Sequence, residues 1–311
     1  MPNPSASQGW NWRLLRCGAF KLDGGSMFGI VPRALWAKAS PPDDKNRIRL
    51  DTNALLLERD GKVALVEVGN GDKFGPKERD IYAMEDRSVL DALHEADCRP
   101  EDISLVVVTH LHFDHAGGLT RLPRAGEPDR PALTFPNARV VCQAREWDDA
   151  IANRSTMTRT YLREHLTEQV SEHLNLVNSK VPLEAVPPGS PPRAVDADLD
   201  QFFDFHEVLP GIEVFRVPGH TWGQQAVRVT GAKGETVVFT PDVMPTVHHA
   251  GAPYNMGYDV EPFVSGLMRR HFLDAAAGQG WILAIDHEPD TPTVRVEADS
   301  GKPGVWRLTP C

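Results

Sequence analysis

Cysteine is scarce in this chain of 311 residues, and its four cysteines lie far apart. Cys17, Cys98, Cys142 and Cys311 form no Cys-x-x-Cys pair, so the sequence indicates neither a zinc ribbon nor a disulfide-linked scaffold. We expect free thiols in a cytoplasmic protein, with Cys142 buried in a strand.

Long apolar runs and a net positive charge are also missing. No segment approaches the roughly 18 consecutive apolar residues of a membrane span, and the N-terminal segment is polar, so we expect neither a transmembrane helix nor a signal peptide. The net charge is −10, whereas proteins that bind nucleic acid usually present a basic face. The expected partners therefore include no membrane and no nucleic acid.

The composition is that of a soluble globular protein, with 41% hydrophobic and 24% charged residues. A chain of this length can bury one large core. We expect residues 1–10 to be a disordered tail and residues 11–311 to form a single domain. A helical and proline-rich insertion is expected within that domain at about 144–195.

Apolar patterning divides the chain into short strands and amphipathic helices. The Asp60-Gly61 pair between the second and third strands is a strong hairpin signal. The expected strands are 12–20, 49–58, 62–68, 103–108, 138–143, 201–208, 212–217, 225–230, 236–240 and 281–285. The expected helices are 88–96, two in the longest helical region at about 144–177, and 261–277.

The most informative segment is 109–118, in which three histidines and one aspartate fall within six residues. His110, His112, Asp114 and His115 follow an apolar, β-branched run that is typical of a buried strand. Four polar side chains crowded after such a strand need a partner. Imidazole nitrogen and carboxylate oxygen are ligands that zinc prefers, so the segment predicts a metal site.

Spacing within this segment predicts two metal positions. The first two histidines stand two residues apart, and in an extended backbone they point the same way. The adjacent Asp114 and His115 would be aimed at a neighbouring point by a tight turn, helped by Gly117 and Gly118. Two metals need more donors than one segment supplies, and His220, Asp242 and His287 each come soon after an expected strand.

His-x-His-x-Asp-His followed by Gly-Gly resembles the signature of the metallo-β-lactamase superfamily. The resemblance implies an α/β protein with the αββα sandwich, in which two mixed β-sheets pack face to face with helices outside. It also implies two divalent metal ions, expected to be zinc. The first metal would be held by His110, His112 and His220, and the second by Asp114, His115 and His287, with Asp242 bridging both.

A few positions depart from the superfamily pattern without removing a ligand. Glu67 stands at the end of a strand where the superfamily commonly has aspartate, and its side chain is one methylene longer. Trp222 and Gln224 replace a proline and a second histidine, and Pro241 replaces a common glycine. Asp286 offers an alternative carboxylate beside a predicted histidine ligand, although the superfamily pattern favours the histidine.

Of the 12 histidines, the seven that are not candidate ligands lack a partner pattern. We interpret His94, His206 and His271 as structural residues, and His165 and His173 as surface residues. His248 and His249 stand near a candidate ligand, and we interpret them as surface or core residues.

The segment Leu-Asp-Gly-Gly-Ser-Met-Phe-Gly-Ile-Val-Pro at 22–32, with Leu-Trp at 35–36, resembles one branch of the superfamily. That branch contains quorum-quenching N-acyl homoserine lactonases and methyl-parathion-type hydrolases. The resemblance implies a small-molecule lactone or ester as substrate and attack by a hydroxide that bridges two metals. Asp114 would carry a proton to the leaving group.

Three other functions are compatible with the same motif. An organophosphate or aryl-ester hydrolase would use the same metal site. An iron enzyme of the persulfide dioxygenase type shares many ligands, and a non-catalytic metal-binding protein would use the fold for interaction alone. A homodimer is also left open as the assembly.

The substrate pocket is the least determined part of the site. We consider Phe28, Trp36 and Trp222 as an apolar wall for an acyl chain, with core packing as the alternative. No tyrosine can be assigned from the sequence as a donor to the substrate carbonyl.

Overall fold

Two β-sheets of six and seven strands share one buried apolar layer in the computed structural model. The structure describes residues 9–156, 159–181, 202–299, 301–302 and 304–311. Nearly all of the expected tail lies outside these residues, as does most of the proline-rich part of the expected insertion. Those two expectations stay predictions.

The strands and helices follow one another along the described chain as listed here. The strands are β1 (Asn11–Asp23), β2 (Arg47–Arg59), β3 (Lys62–Val66), β4 (Ile103–Val107), β5 (Thr120–Arg121), β6 (Ala132–Leu133), β7 (Arg139–Gln143), β8 (Leu174–Val177), β9 (His206–Leu209), β10 (Ile212–Arg216), β11 (Gln225–Thr230), β12 (Thr236–Thr240), β13 (Ile282–Ile285), β14 (Thr293–Ala298) and β15 (Trp306–Pro310). The helices are α1 (Gly24–Phe28), α2 (Arg33–Ala39), α3 (Pro76–Ile81), α4 (Val89–Glu95), α5 (Phe113–Ala116), α6 (Ala144–Ile151), α7 (Glu168–Glu172) and α8 (Pro262–Gln279).

Both sheets are mixed. The first has the order β1-β2-β3-β4-β7-β8 and the second the order β15-β14-β13-β12-β11-β10-β9, while β5 and β6 form a small separate ribbon. Neighbours from β3 to β8 in the first sheet run parallel, as do β12 and β13 in the second. The remaining neighbours are antiparallel.

Burial on both faces explains why the central strands are apolar throughout. Leu55 and Leu57 of β2 share a buried cluster with Val227 and Phe239 of the second sheet, between the two sheets. Helix α4 packs on the outer face of the first sheet and α8 on the outer face of the second. Strands covered on both sides read as nearly continuous apolar sequence. The αββα prediction is confirmed.

The turn between β2 and β3 confirms the Asp-Gly signal. Asp60 and Gly61 have φ angles of 51° and 74°, and the flanking Arg59 and Lys62 pair across the turn. Two central residues with positive φ are typical of the type I′ turn, whose twist matches that of the paired strands.

The prediction that residues up to about 177 are helical was wrong at its C-terminal end. Leu174–Val177 forms β8, which pairs in parallel with β7 at the edge of the first sheet. Pairing with an open sheet edge outweighs the local preference of a short segment. The longest helix of the described chain is instead α8, with 18 residues.

The C-terminal part of the second sheet was only partly predicted. β9 begins at His206, so residues 202–205 of the expected strand lie outside it. β14 and β15 extend the sheet beyond β13 and were not predicted. They are short, and only Val294 and Val296 among their side chains are buried, so neither gives a strong apolar signal.

Two further expectations concern the cysteines and the membrane. All four cysteines are free thiols, and Cys142 is buried in β7, as predicted. None of the described helices combines the length and the apolarity needed to cross a bilayer.

Gly117 and Gly118 permit a close approach of two backbone segments rather than a special backbone angle. Neither residue has a positive φ. A Cβ on Gly117 would lie 2.2 Å from the carbonyl oxygen of Asn70, and a Cβ on Gly118 would lie 2.1 Å from that of Val68. The loop after β3 therefore packs directly against the segment that follows α5.

Gly118→Ala should destabilise the protein by about 1–3 kcal/mol, as overpacking does where the neighbour cannot move. The new methyl group would meet a backbone carbonyl rather than a flexible side chain. Urea unfolding of the metal-free protein measures the effect. Gly257→Ala is the control, because Gly257 is exposed in a turn and its Cβ would meet only Ser26, at an ordinary contact distance of 3.5 Å. We expect the control to change stability by less than about 0.5 kcal/mol, and equal effects would contradict the argument.

Candidate metal centre

The seven predicted ligands converge where the two sheets meet. His110 and His112 follow β4, and Asp114 and His115 lie on α5 directly after them. The other three follow strands of the second sheet, and all seven side chains are buried. These three are His220 after β10, Asp242 after β12 and His287 after β13.

Three imidazole nitrogens form the first cluster. Nε2 of His110 and Nε2 of His220 lie 3.1 Å and 3.0 Å from Nδ1 of His112. Burial lowers the pKa of His110 and His112 well below the ordinary histidine value, and the neighbouring histidines lower it further. Neutral imidazoles that aim nitrogens at one point provide the lone pairs that a divalent cation binds.

The second cluster contains Asp114, His115 and His287. Nε2 of His115 lies 3.2 Å from Nε2 of His287. Oδ1 of Asp114 lies 3.8 Å from Nε2 of His115, and its Oδ2 lies 3.7 Å from Nε2 of His287. The three ligand atoms lie within 4.8 Å of one another, as do those of the first cluster.

Asp242 lies between the two clusters. Its Oδ2 is 3.1 Å from Nε2 of His220, and its Oδ1 is 3.3 Å from Nε2 of His287. Oδ1 is buried and has no hydrogen-bond partner among the described residues. A carboxylate that offers one oxygen to each cluster, with one of them unpaired, fits divalent metal ions.

A carboxylate and a carbonyl outside the clusters orient two of the rings. Nδ1 of His220 donates to Oδ1 of Asp259 at 3.0 Å, and Nδ1 of His287 donates to the carbonyl of Asp51 at 2.9 Å. With one ring nitrogen held in this way, the other is aimed at the centre. The sequence did not single out Asp259, because no strand or motif precedes it.

Asp286 and Glu67 support His115 from the side opposite the centre. Nδ1 of His115 lies 2.8 Å from Asp286 and 3.2 Å from Glu67. Glu67 also accepts a hydrogen bond from the backbone N–H of Thr109, and its φ is 67°. Despite the superfamily departure, a carboxylate therefore stands behind His115. Asp286 faces Nδ1 of His115 and not Nε2, the nitrogen that belongs to the second cluster.

The charges around the second cluster favour a bound cation. Burial lowers the pKa of His115, but the carboxylates of Asp114, Asp286 and Glu67 outweigh it, and the pKa lies well above the ordinary value. Burial raises the pKa of Asp114, against the opposing charges of His115 and His287. Charges that raise the pKa of His115 favour a metal cation as they favour a proton, and the two compete for the same nitrogen, so metal affinity should fall as pH falls.

An apolar cleft opens onto the centre. The empty space in the cleft and at its mouth is about 530 Å³, and Asp114 and Asp242 line it. Ser155, Thr156 and Thr160 also line it, and no lysine or arginine does so among the described residues. The apolar and aromatic residues that line it are Leu22, Met27, Tyr82, Phe113, Met256 and Tyr258.

The predicted apolar wall does not line this cleft. Phe28 and Trp36 are buried and stack on each other, with ring centroids 5.2 Å apart. The ring of Trp222 lies under the guanidinium of Arg145. Core packing, the alternative, is therefore correct for Phe28 and Trp36, and Met27 from the same segment forms the wall.

Two tyrosines that the sequence could not distinguish reach the cleft. Burial raises the pKa of Tyr258 to about 12, and it also raises the pKa of Tyr82. Both phenols are protonated at neutral pH and can donate a hydrogen bond. Tyr161 instead donates to Glu146, and Tyr254 packs against Phe28.

Two histidines that are not candidate ligands lie close to the elements that support the centre. His165 was expected on the surface, but it is fully buried, and its Nε2 donates to the carbonyl of Leu111 at 3.0 Å. The surface prediction was wrong because the segment before α7 folds inward. His249 is a core residue that stacks on Phe28 and donates to the carbonyl of Met27 at 2.9 Å.

Comparisons with known proteins agree with this architecture. A family model described as the metallo-beta-lactamase superfamily matches residues 47–130. An N-acyl homoserine lactonase of Bacillus cereus is 26% identical over 187 residues, which cover 60% of this chain and 56% of that protein. The N-acyl homoserine lactonase AttM of Azorhizobium caulinodans is 26% identical over 214 residues, which cover 68% of this chain and 69% of that one. The chain thus spans little more than half the length of the first of these relatives.

Two solved structures share the fold over nearly the whole chain. A probable metal-dependent hydrolase from Staphylococcus aureus superposes with a TM-score of 0.77 at 26% identity, covering 97% of each chain. AidC, a dizinc quorum-quenching lactonase in complex with its product, superposes with a TM-score of 0.70 at 17% identity, covering 97% of this chain and 98% of that one. Residues 47–130 thus match the metallo-beta-lactamase superfamily, and the fold of the chain is similar to that of these two structures.

Proposed function

We propose that the chain is a metal-dependent hydrolase with two metal ions that opens lactone rings, N-acyl homoserine lactones above all. The observation that carries the proposal is the position of Asp242, which offers one oxygen to each of two clusters of buried donors. The lactonases among its relatives and structural neighbours support the substrate class.

Seven side chains would hold the two ions. The first ion would be bound by the cluster of His110, His112 and His220, and the second by the cluster of Asp114, His115 and His287, with Asp242 bound to both. When bound, such ions lower the pKa of water toward about 7 and polarise a carbonyl oxygen. Zinc is the metal that best suits this mixture of imidazoles and carboxylates.

Asp114 is the catalytic residue that we assign among these ligands. It faces the cleft, and its oxygens lie 3.7–3.8 Å from the histidines of its cluster, farther than the 3.1–3.3 Å closest contacts of Asp242. A carboxylate oxygen in this position can take a proton from the attacking water and deliver it to the alkoxide oxygen that leaves when the ring opens.

The cleft would bind the uncharged part of the substrate. Leu22, Met27 and Met256 give it an apolar surface for an acyl chain, and no lysine or arginine lines it to attract an anionic group. Tyr82 and Tyr258 can orient a substrate carbonyl by donating a hydrogen bond. The same features would admit a neutral phosphotriester, so the substrate must be tested directly.

A substrate panel tests this proposal. Zinc- or cobalt-loaded protein would be assayed on a long-chain N-acyl homoserine lactone, a phosphotriester, a thioester and a β-lactam. We expect kcat/KM for the lactone to exceed the others by about 10²-fold or more, and chelated protein is the control. If the protein hydrolyses the phosphotriester but not the lactone, its assignment as a lactonase is wrong. If it contains about one iron per chain and consumes oxygen, its assignment as a hydrolase is wrong.

A further inference from the structure

The peptide between the first two histidines of the motif is held on both sides by buried side chains from outside the motif. The backbone N–H of Leu111 donates to Oε1 of Glu146 at 2.9 Å. Its carbonyl accepts from Nε2 of His165 at 3.0 Å. Glu146 lies on α6 and His165 lies between α6 and α7, and both are fully buried. Because Leu111 separates His110 from His112, its orientation sets the direction of both rings.

Glu146 also reaches the loop that carries the third histidine. Its Oε2 accepts from the hydroxyl of Thr221, the residue after His220, at 2.6 Å. That loop lies directly on α6, since a Cβ on Gly223 would be 2.3 Å from the backbone nitrogen of Glu146. One carboxylate thus joins the two loops from which the first cluster is built.

Tyr161 completes the arrangement. Its hydroxyl donates to Oε1 of Glu146 at 3.0 Å, and its ring lies against that of His112, with centroids 4.9 Å apart. The described residues give the Glu146 carboxylate three neutral hydrogen-bond donors and no ion pair. Losing one donor or acceptor of such a buried network leaves its partners unsatisfied, so each member holds the others in place.

We propose that Glu146, Tyr161 and His165 form a clamp that positions the first cluster and sets its affinity for metal. The proposal rests on the two-metal function above. It assigns these three residues a positioning role, since none of them is a ligand in that function.

The second cluster has separate neighbours. Nδ1 of His115 faces the carboxylates of Asp286 and Glu67, and Nδ1 of His287 donates to the carbonyl of Asp51. None of these neighbours comes from α6 or from the segment between α6 and α7. A damaged clamp should therefore weaken one metal position and spare the other.

Metal titration of Glu146→Gln tests the clamp. Metal-free protein would be titrated with Co²⁺ against a chromophoric chelator, and the absorption spectrum of the bound Co²⁺ recorded. We expect the dissociation constant of one ion to rise about 10–100-fold, as when outer partners of metal ligands are lost, and the other to stay unchanged. Asp259→Asn, which weakens support of His220, and Asp286→Asn, which weakens support of His115, identify the two positions. The Glu146→Gln titration should resemble that of Asp259→Asn.

Matched variants separate positioning from folding. Asp149 lies on the same helix as Glu146, and its buried carboxylate pairs with Arg145 and Arg154 rather than with the loops of the first cluster. Asp149→Asn should therefore leave both dissociation constants unchanged. Thr221→Val removes a single hydrogen bond of the network, and it decides the question if Glu146→Gln does not fold. Thermal unfolding of the metal-free variants gives the structural cost of each change.

The outcomes distinguish the clamp from the function on which it rests. The clamp alone is overturned if the wild-type protein binds two ions and the variants lose stability but keep both metal dissociation constants. Equal weakening of both positions would also overturn it. Wild-type protein that binds no divalent ion would overturn the proposed function and the clamp with it.

Discussion

Asp242→Ala should lower metal content and hydrolysis together. The side chain is buried between the clusters, and its two oxygens face His220 and His287 at 3.1 Å and 3.3 Å. Loss of residues that merely orient ligands typically costs 10–100-fold in affinity or activity, so loss of a shared ligand should cost at least about 10²-fold in kcat/KM. Metal analysis after gel filtration, with steady-state kinetics on the same sample, measures both effects.

The companion variants show whether the bridging position is responsible. Asp242→Asn keeps the shape and one oxygen but loses the charge, so it should retain more metal than Asp242→Ala. Asp86→Ala removes a fully exposed carboxylate that pairs only with Arg79, and it should change neither quantity. Full metal content and full activity in Asp242→Ala would exclude the bridging role.

Asp114→Asn should reduce turnover by about 10²-fold or more, the usual contribution of a positioned proton carrier. Asparagine is close in size and keeps an oxygen that can bind metal, but it cannot carry a proton between the attacking water and the leaving oxygen. Because the apolar walls of the cleft are untouched, KM should change much less than kcat.

Measurement of bound metal is needed to interpret this variant. Activity should be expressed per intact two-metal site, and the pH dependence of kcat recorded beside the wild type. Because the carboxylate must be ionised to accept the proton, an acidic limb that disappears while the metal content stays near two would support the proton-carrying role. A turnover number equal to that of the wild type would leave Asp114 as a ligand only.

Much of the fold could be predicted because buried strands and tight turns leave local patterns in the sequence. β4, β12 and β13 are buried and consist mostly of apolar residues, while Asp60-Gly61 marks a turn by its backbone requirement. The elements near the sheet edges were harder. β8, β14 and β15 were missed because they are short and the partners supplied by the rest of the sheet stabilise them.

The supports of the centre could be predicted only in small part. Glu146 stands just after a buried strand, as several ligands do, and an acidic residue in that place was a usable signal. His165 carried no such signal, since the carbonyl that it binds lies 54 positions earlier in the chain. Asp259 likewise stands 39 positions from the histidine that it orients. Pairings over such distances depend on how loops pack, and periodicity does not report them.

The sequence by itself determined the donors. Four of the candidate ligands are neighbours on one segment, and three more come soon after strands, so their types and spacing predict metal binding without coordinates. Only the tertiary structure decided that the two halves meet so that Asp242 lies between two clusters, and that Met27, Tyr82 and Tyr258 rather than Phe28 and Trp36 line the cleft. The reason is physical. Which side chains can bind a metal follows from their chemistry, whereas which surfaces face it follows from the packing of segments distant in sequence.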